Sequence, residues 1–92
     1  MIKLPKQWKH WCKKNNLRPH FGGRRQHDWF YLKGQGRVWR INNRGMLQCG
    51  DTYEDFDRWA LCNIEESPLP TTEADFTEAV TTLLLRQFKK TT

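Results

Sequence analysis

The stretch DWFYLKGQGRVWRINNRG, Asp28 to Gly45, decides the fold, and it sets four aromatic rings among three arginines and a lysine. From Asp28 to Lys33 and from Arg37 to Ile41 the residues are aromatic, aliphatic or β-branched, as strands favour. The link Gly34-Gln35-Gly36 suits a tight hairpin, because glycine accepts positive φ. Read as a three-residue loop, it predicts that Tyr31 faces Trp39 and Trp29 faces Ile41 across the hairpin. Those four then share one face, and Phe30, Leu32, Val38 and Arg40 share the other. "NNRG" (42–45) makes a second turn and "MLQCG" (46–50) a short third strand.

Helices flank this meander. Pro5 suits the first position of a helix, and Trp8, Trp11 and Cys12 follow at spacings that share one side, with Lys6, Lys9, His10, Lys13 and Lys14 on the others. The helix is expected from Pro5 to Asn15. The segment "RPHFGGRRQH" (18–27), with a proline, two glycines and a basic cluster, reads as an exposed loop. "DTYEDFDRWALC" (51–62) opens like a helix start, places Tyr53, Phe56 and Ala60 on one side and leaves the other side acidic. "NIEESPLPTT" (63–72) reads as a loop, after which Thr71 or Thr72 caps a last helix that buries Phe76, Ala79, Val80, Leu83 and Leu84 and ends near Lys89 and Lys90. The expected fold is α+β: a three-stranded antiparallel meander flanked by an N-terminal helix and one or two C-terminal helices. With 92 residues the chain is expected to form one domain, residues 1–92.

Composition narrows the function classes. Aromatic residues make up 13% of the chain, five of them tryptophan, which argues for a ring-rich core and against disorder. No apolar run is long enough to span a membrane and "MIKLPKQW" lacks a signal-like apolar core, so a soluble cytoplasmic protein is expected. Cys12, Cys49 and Cys62 have no short pair spacing and read as reduced, buried thiols.

Charge is distributed unevenly. Residues 1–46 carry twelve Lys and Arg against one acid, Asp28, whereas residues 47–92 carry four bases and nine acids. A chain so divided attracts a polyanion with one half, unless the halves neutralise each other across the fold. The candidate nucleic-acid contacts are Lys9, Lys13, Lys14, Arg18, Arg24, Arg25, Arg37, Arg40 and Arg44, with Trp39 or Tyr31 stacking on bases if exposed and otherwise filling the core. The alternative is a solvated basic face over buried rings.

Catalysis and metal binding have little support. His10, His20 and His27 lack the close ligand pairs of a zinc site, since His10 and Cys12 point apart on a helix. "GQG" is a turn rather than a dinucleotide fingerprint, and no nucleophile elbow or phosphate-binding loop is present. No enzyme activity, metal or cofactor is expected. The expected partner is DNA or RNA, or a nucleic-acid-binding host protein, with no membrane. A second reading is an inhibitor or adaptor that grips a protein through Glu54, Asp55 and Asp57.

The order helix, three strands, helix resembles the double-stranded RNA-binding domain, and three strands followed by a helix resemble the small sheet domains with which some integrases hold DNA. The lysine-rich start of the former family's last helix has no counterpart here, where "TTEADF" (71–76) stands, so no site residue is carried over. "TYEDFDRWALCN" (52–63) with "PTTEADFTEAV" (70–80) resembles the tail of small bacteriophage accessory proteins. Many of these, anti-CRISPR proteins among them, bind and block a host or defence component, and that resemblance implies such a setting.

Overall fold

The computed structural model describes residues 6–19, 30–42, 44–57 and 64–91. Their order is α1 (Trp8–Lys14), β1 (Leu17–Pro19), β2 (Phe30–Gly34), β3 (Arg37–Ile41), β4 (Met46–Gly50), α2 (Glu54–Asp57), β5 (Glu65–Pro68) and α3 (Glu73–Thr91). The α+β class, the antiparallel sheet and the terminal helices are as expected. The sheet has five strands rather than three, in the consecutive order β1-β2-β3-β4-β5, every neighbour antiparallel.

Both additional strands lie at the edges; β5 falls within a segment read as a loop, and β1 begins at Leu17, one residue before the other such segment. In β1 only Leu17 is buried. Pro19 ends the strand at an edge, where a missing N–H costs no ladder bond. In β5 the residues Glu65-Glu66-Ser67-Pro68 alternate half-buried and exposed, with no apolar side chain apart from the proline. Backbone pairing to β4 holds this strand, and backbone pairing leaves no mark in the side-chain pattern.

The central hairpin closes one residue tighter than the spacing predicts. Gln35 (φ 56°) and Gly36 (φ 69°) form a two-residue turn with both φ values positive, the geometry that matches strand twist. Gly34 therefore pairs with Arg37, Leu32 with Trp39, Tyr31 with Arg40 and Phe30 with Ile41. The expected Tyr31–Trp39 pairing is corrected, and the ring sets change face with it. Phe30, Leu32, Trp39 and Ile41 line one side; Tyr31, Val38 and Arg40 line the other. The Trp39 indole N–H donates to the Gly34 carbonyl at 3.0 Å, tying the strand to its own turn.

Each side has its own core. Under α1 and α3, Trp8, Trp11, Cys12, Leu17, Leu32, Trp39, Ile41, Leu47, Cys49, Phe76, Val80 and Leu83 form one buried cluster. Trp8 meets Phe30 at 5.1 Å and Trp11 meets Phe76 at 5.8 Å between ring centroids, both tilted. On the opposite side Tyr31, Val38, Phe56 and Ile64 form a smaller cluster, with Tyr53 against it. Helix α2 thus covers part of the second face. Ala60, Trp29 and Trp59 lie outside the described residues.

Local chemistry sets the helix ends. Asn15 donates its side-chain amide to the Trp11 carbonyl at 2.8 Å, and Asn16 takes a left-handed φ of 60° as α1 turns into β1. Thr72 is the capping threonine of α3, its hydroxyl accepting from the Asp75 N–H at 3.2 Å. Helix α3 buries Phe76, Val80 and Leu83, half-buries Ala79 and Leu84, and runs past Lys89 to Thr91. Asp55 reaches back to accept from the N–H groups of Asp51 and Thr52, both at 3.0 Å, and so closes the start of α2.

Candidate nucleic-acid interface

Sheet order converts the sequence asymmetry into a spatial one. Across residues 6–19 and 30–34, which form α1, β1 and β2, the ionic side chains are Lys6, Lys9, Lys13, Lys14, Arg18 and Lys33, with His10 and no carboxylate. Across residues 46–57 and 64–78, which form β4, α2, β5 and the first turns of α3, there are nine carboxylates and no Lys or Arg. One sheet edge is cationic, the other anionic, and β3 divides them.

Ion pairs join the two territories where they meet. Lys14 Nζ lies 2.7 Å from Glu73 Oε1, half-exposed on both sides. This lysine holds the Glu73 carboxyl below its usual range, chiefly through the hydrogen bond and then by its charge. Arg37 pairs with Asp51, and its guanidinium also stacks 4.5 Å from the Phe88 ring centroid.

The sequence-derived candidates divide by exposure. Lys9, Lys13, Lys14, Arg18 and Arg44 are exposed. Lys9 lies 5.8 Å from the Trp8 ring centroid, and Lys14 is committed to Glu73. Arg37 keeps only 10% of its side chain accessible. Trp39 is 0% exposed, Arg40 5% and Tyr31 7%, so Trp39 and Tyr31 are core rings whose stacking, expected only if they were exposed, does not arise, and Trp39 and Arg40 are corrected as nucleic-acid contacts. Arg40 instead sits 4.7 Å from the Phe56 ring and donates from Nε to Gln48 Oε1 at 2.8 Å, and Gln48 donates to Glu66 Oε2 at 2.9 Å. That relay crosses three strands and braces the second core. Arg24 and Arg25 lie outside the described residues.

One cation escapes the sequence reading. Lys33 is exposed and pairs with Arg18 across β1 and β2, so both side chains leave the sheet on the face opposite α1 and α3. The three-residue turn assigns Lys33 to the face of Tyr31 and Trp39, which hides it, and without β1 there is no partner for it to meet. Arg18, Lys33, Val38, Asp51, Thr52 and Tyr53 line part of a groove of about 790 Å³ there, which reaches the Gln35-Gly36 turn.

On the acidic side Glu54 is exposed, Asp55 is half-buried and engaged in the α2 cap, and the Asp57 side chain lies outside the described residues. Cys12 and Cys49 are buried free thiols, each pushed up to about 12 by desolvation, which leaves them without nucleophilic character near neutral pH. Among the described residues no three His, Cys, Asp or Glu side chains gather as metal ligands, and no helix is long and apolar enough to cross a membrane. His20, His27 and Cys62 are not among them.

No protein-family model, curated protein or solved structure matches the chain.

Proposed function

We propose that this chain is a small binding protein whose α1–β1–β2 side engages nucleic acid, or the nucleic-acid surface of a ribonucleoprotein, without catalysing a reaction. The observation that carries the reading is the separation of sign: among the described residues α1, β1 and β2 carry exposed lysines and Arg18 and no carboxylate of their own. Such an edge steers a polyanion by its field, and each neutralised phosphate releases counterions. In sequence, the Arg24-Arg25 pair falls between β1 and β2.

The test is a salt titration of a labelled oligonucleotide, read by anisotropy. Affinity is expected to fall steeply and linearly in log–log form with salt, and Arg24→Ala/Arg25→Ala to flatten the slope. Absence of binding at low salt overturns the reading.

A second reading has its own observation. The acidic territory, with no Lys or Arg among the described residues 46–57 and 64–78 and with Glu54 exposed on α2, has the charge of a nucleic-acid mimic and suits a bacteriophage-encoded inhibitor that occupies a basic site on a host protein. Capture from nuclease-treated host lysate separates the two: a stoichiometric protein partner that survives nuclease favours the inhibitor.

A further inference from the structure

We infer that the groove between the β1–β2 edge and the segment leading into α2 is a binding site for the phosphodiester backbone of an unpaired strand, held chiefly by Arg18 and Lys33. The inference rests on the polyanion reading above and gives it a place and a strand type. Arg18 and Lys33 are Cα partners on neighbouring strands, project from the same face and are both exposed. Neither side chain makes a hydrogen bond or ion pair with another described residue. Like charges placed directly opposite on a sheet repel and weaken it, and an anion seated between them removes that repulsion.

The surroundings supply the rest of a site. Arg37, tied to Asp51 at the groove wall, is held by its own partner and leaves Arg18 and Lys33 as the available cations. Tyr53 adds an aromatic wall; its ring is fixed edge-on to Tyr31 at 5.8 Å and is half-buried. At about 790 Å³ the groove falls within the range of ligand pockets, roughly 300–1,000 Å³. A concavity of that size admits a short run of nucleotides with bases splayed, whereas a duplex is a convex rod that would rest across its rim. Sequence-tolerant binding of single strands combines cations along the backbone with rings beside the bases, and both are present here.

The experiment uses the full chain with labelled oligodeoxythymidylate and oligouridylate, whose relative affinities identify the sugar. Arg18→Gln/Lys33→Gln is expected to reduce the slope of log affinity against log salt by about 0.7 for each phosphate that is no longer neutralised. Lys9→Gln/Lys13→Gln, on α1 across the sheet, is expected to reduce it less. Arg18→Lys, which keeps the charge, should retain the slope, and thermal melting should show the double groove variant folded. In the unsubstituted protein, oligomer addition should shift the amide resonances of Lys33, Gly36 and Thr52 more than those of Lys9 and Lys13. An unlabelled duplex should compete less well than the single strand. Steep salt-dependent binding untouched by the groove variant, or a duplex that competes equally well, overturns the groove and leaves the polyanion reading standing. If neither oligomer binds at low salt, both fall.

Discussion

Gly34 lies directly against the backbone carbonyl of Asn16: a Cβ at position 34 would stand well inside contact distance of that oxygen. The α1–β1 corner is thereby seated on the central hairpin, and Gln35 secures it by donating its side-chain amide to the Asn15 carbonyl at 2.7 Å. Gly34→Ala forces backbone against backbone and is expected to cost about 1–3 kcal/mol. That lowers Tm by roughly 4–8 °C for each kcal/mol in a domain of this size. Gly36 differs, with open space around it and a φ of +69°. Gly36→Asn, a residue that tolerates this conformation, should stay within about 0.5 kcal/mol of the parent. Thermal melts of the two variants check the distinction, and similar losses for both would contradict it.

Side-chain pattern makes the helices and inner strands readable, because each buries a periodic face. Trp8, Trp11 and Cys12 on α1, Phe76, Val80 and Leu83 on α3, and the alternation in β2 and β3 all speak through burial. Edge strands β1 and β5 are not readable in this way, since Arg18, Glu65 and Glu66 are polar and mark no apolar face there. The turn falls between two readings because Gly34-Gln35-Gly36 satisfies either a two- or a three-residue link. What separates them is tertiary: the approach of Asn16 and the Trp39 bond to Gly34. That single residue of register decides which cations face solvent, and it brings Lys33 into the site while Arg40 and Trp39 leave it.

Arg40 is a brace for the second core, and its role is separable from binding. Gln48→Leu removes the acceptor of its Nε and leaves a guanidinium buried beside Phe56 with one bond fewer, an expected loss of about 1.5–3 kcal/mol. Arg40→Met combined with Gln48→Leu removes the charge with its need for that acceptor, and should recover part of the loss. A double-mutant cycle from denaturant melts measures the coupling. Neither change should alter the salt slope of oligonucleotide binding, as both side chains are at most 5% exposed. A flattened slope in a folded Arg40→Met protein would place Arg40 at the phosphates after all.

The thiols of Cys12 and Cys49 should resist alkylation in the folded protein. Burial raises each from 9.0 to about 12, so the reactive thiolate is scarce at pH 8 and the sulfur is shielded. Between these values the folded chain holds a proton that the unfolded chain releases. The contribution of both thiols to stability is therefore complete below pH 9 and lost as pH rises toward about 12. Mass spectrometry after iodoacetamide treatment, resolved by site, should show both positions modified only under denaturing conditions. An alkaline melt should show Tm falling above pH 9.

Lys14 and Glu73 meet where the cationic and acidic territories adjoin, and this contact yields a pH effect and a binding effect of opposite character. Glu73 is depressed below 4.5 in the folded state, so the pair's contribution is present above that value and fades as pH falls through the lowered pKa. A carboxyl-resolved NMR titration should find the depression. Lys14→Gln should return Glu73 toward its ordinary range, and high salt should do so in part, because the pair is half-exposed. For oligonucleotide binding the same pairing means that Lys14 carries less free charge than Lys13, one residue earlier on α1 and exposed. Lys13→Gln should therefore flatten the salt slope more than Lys14→Gln. Glu73→Gln, which releases Lys14, should steepen it, and a slope insensitive to Glu73 would mean that the lysine already serves the ligand.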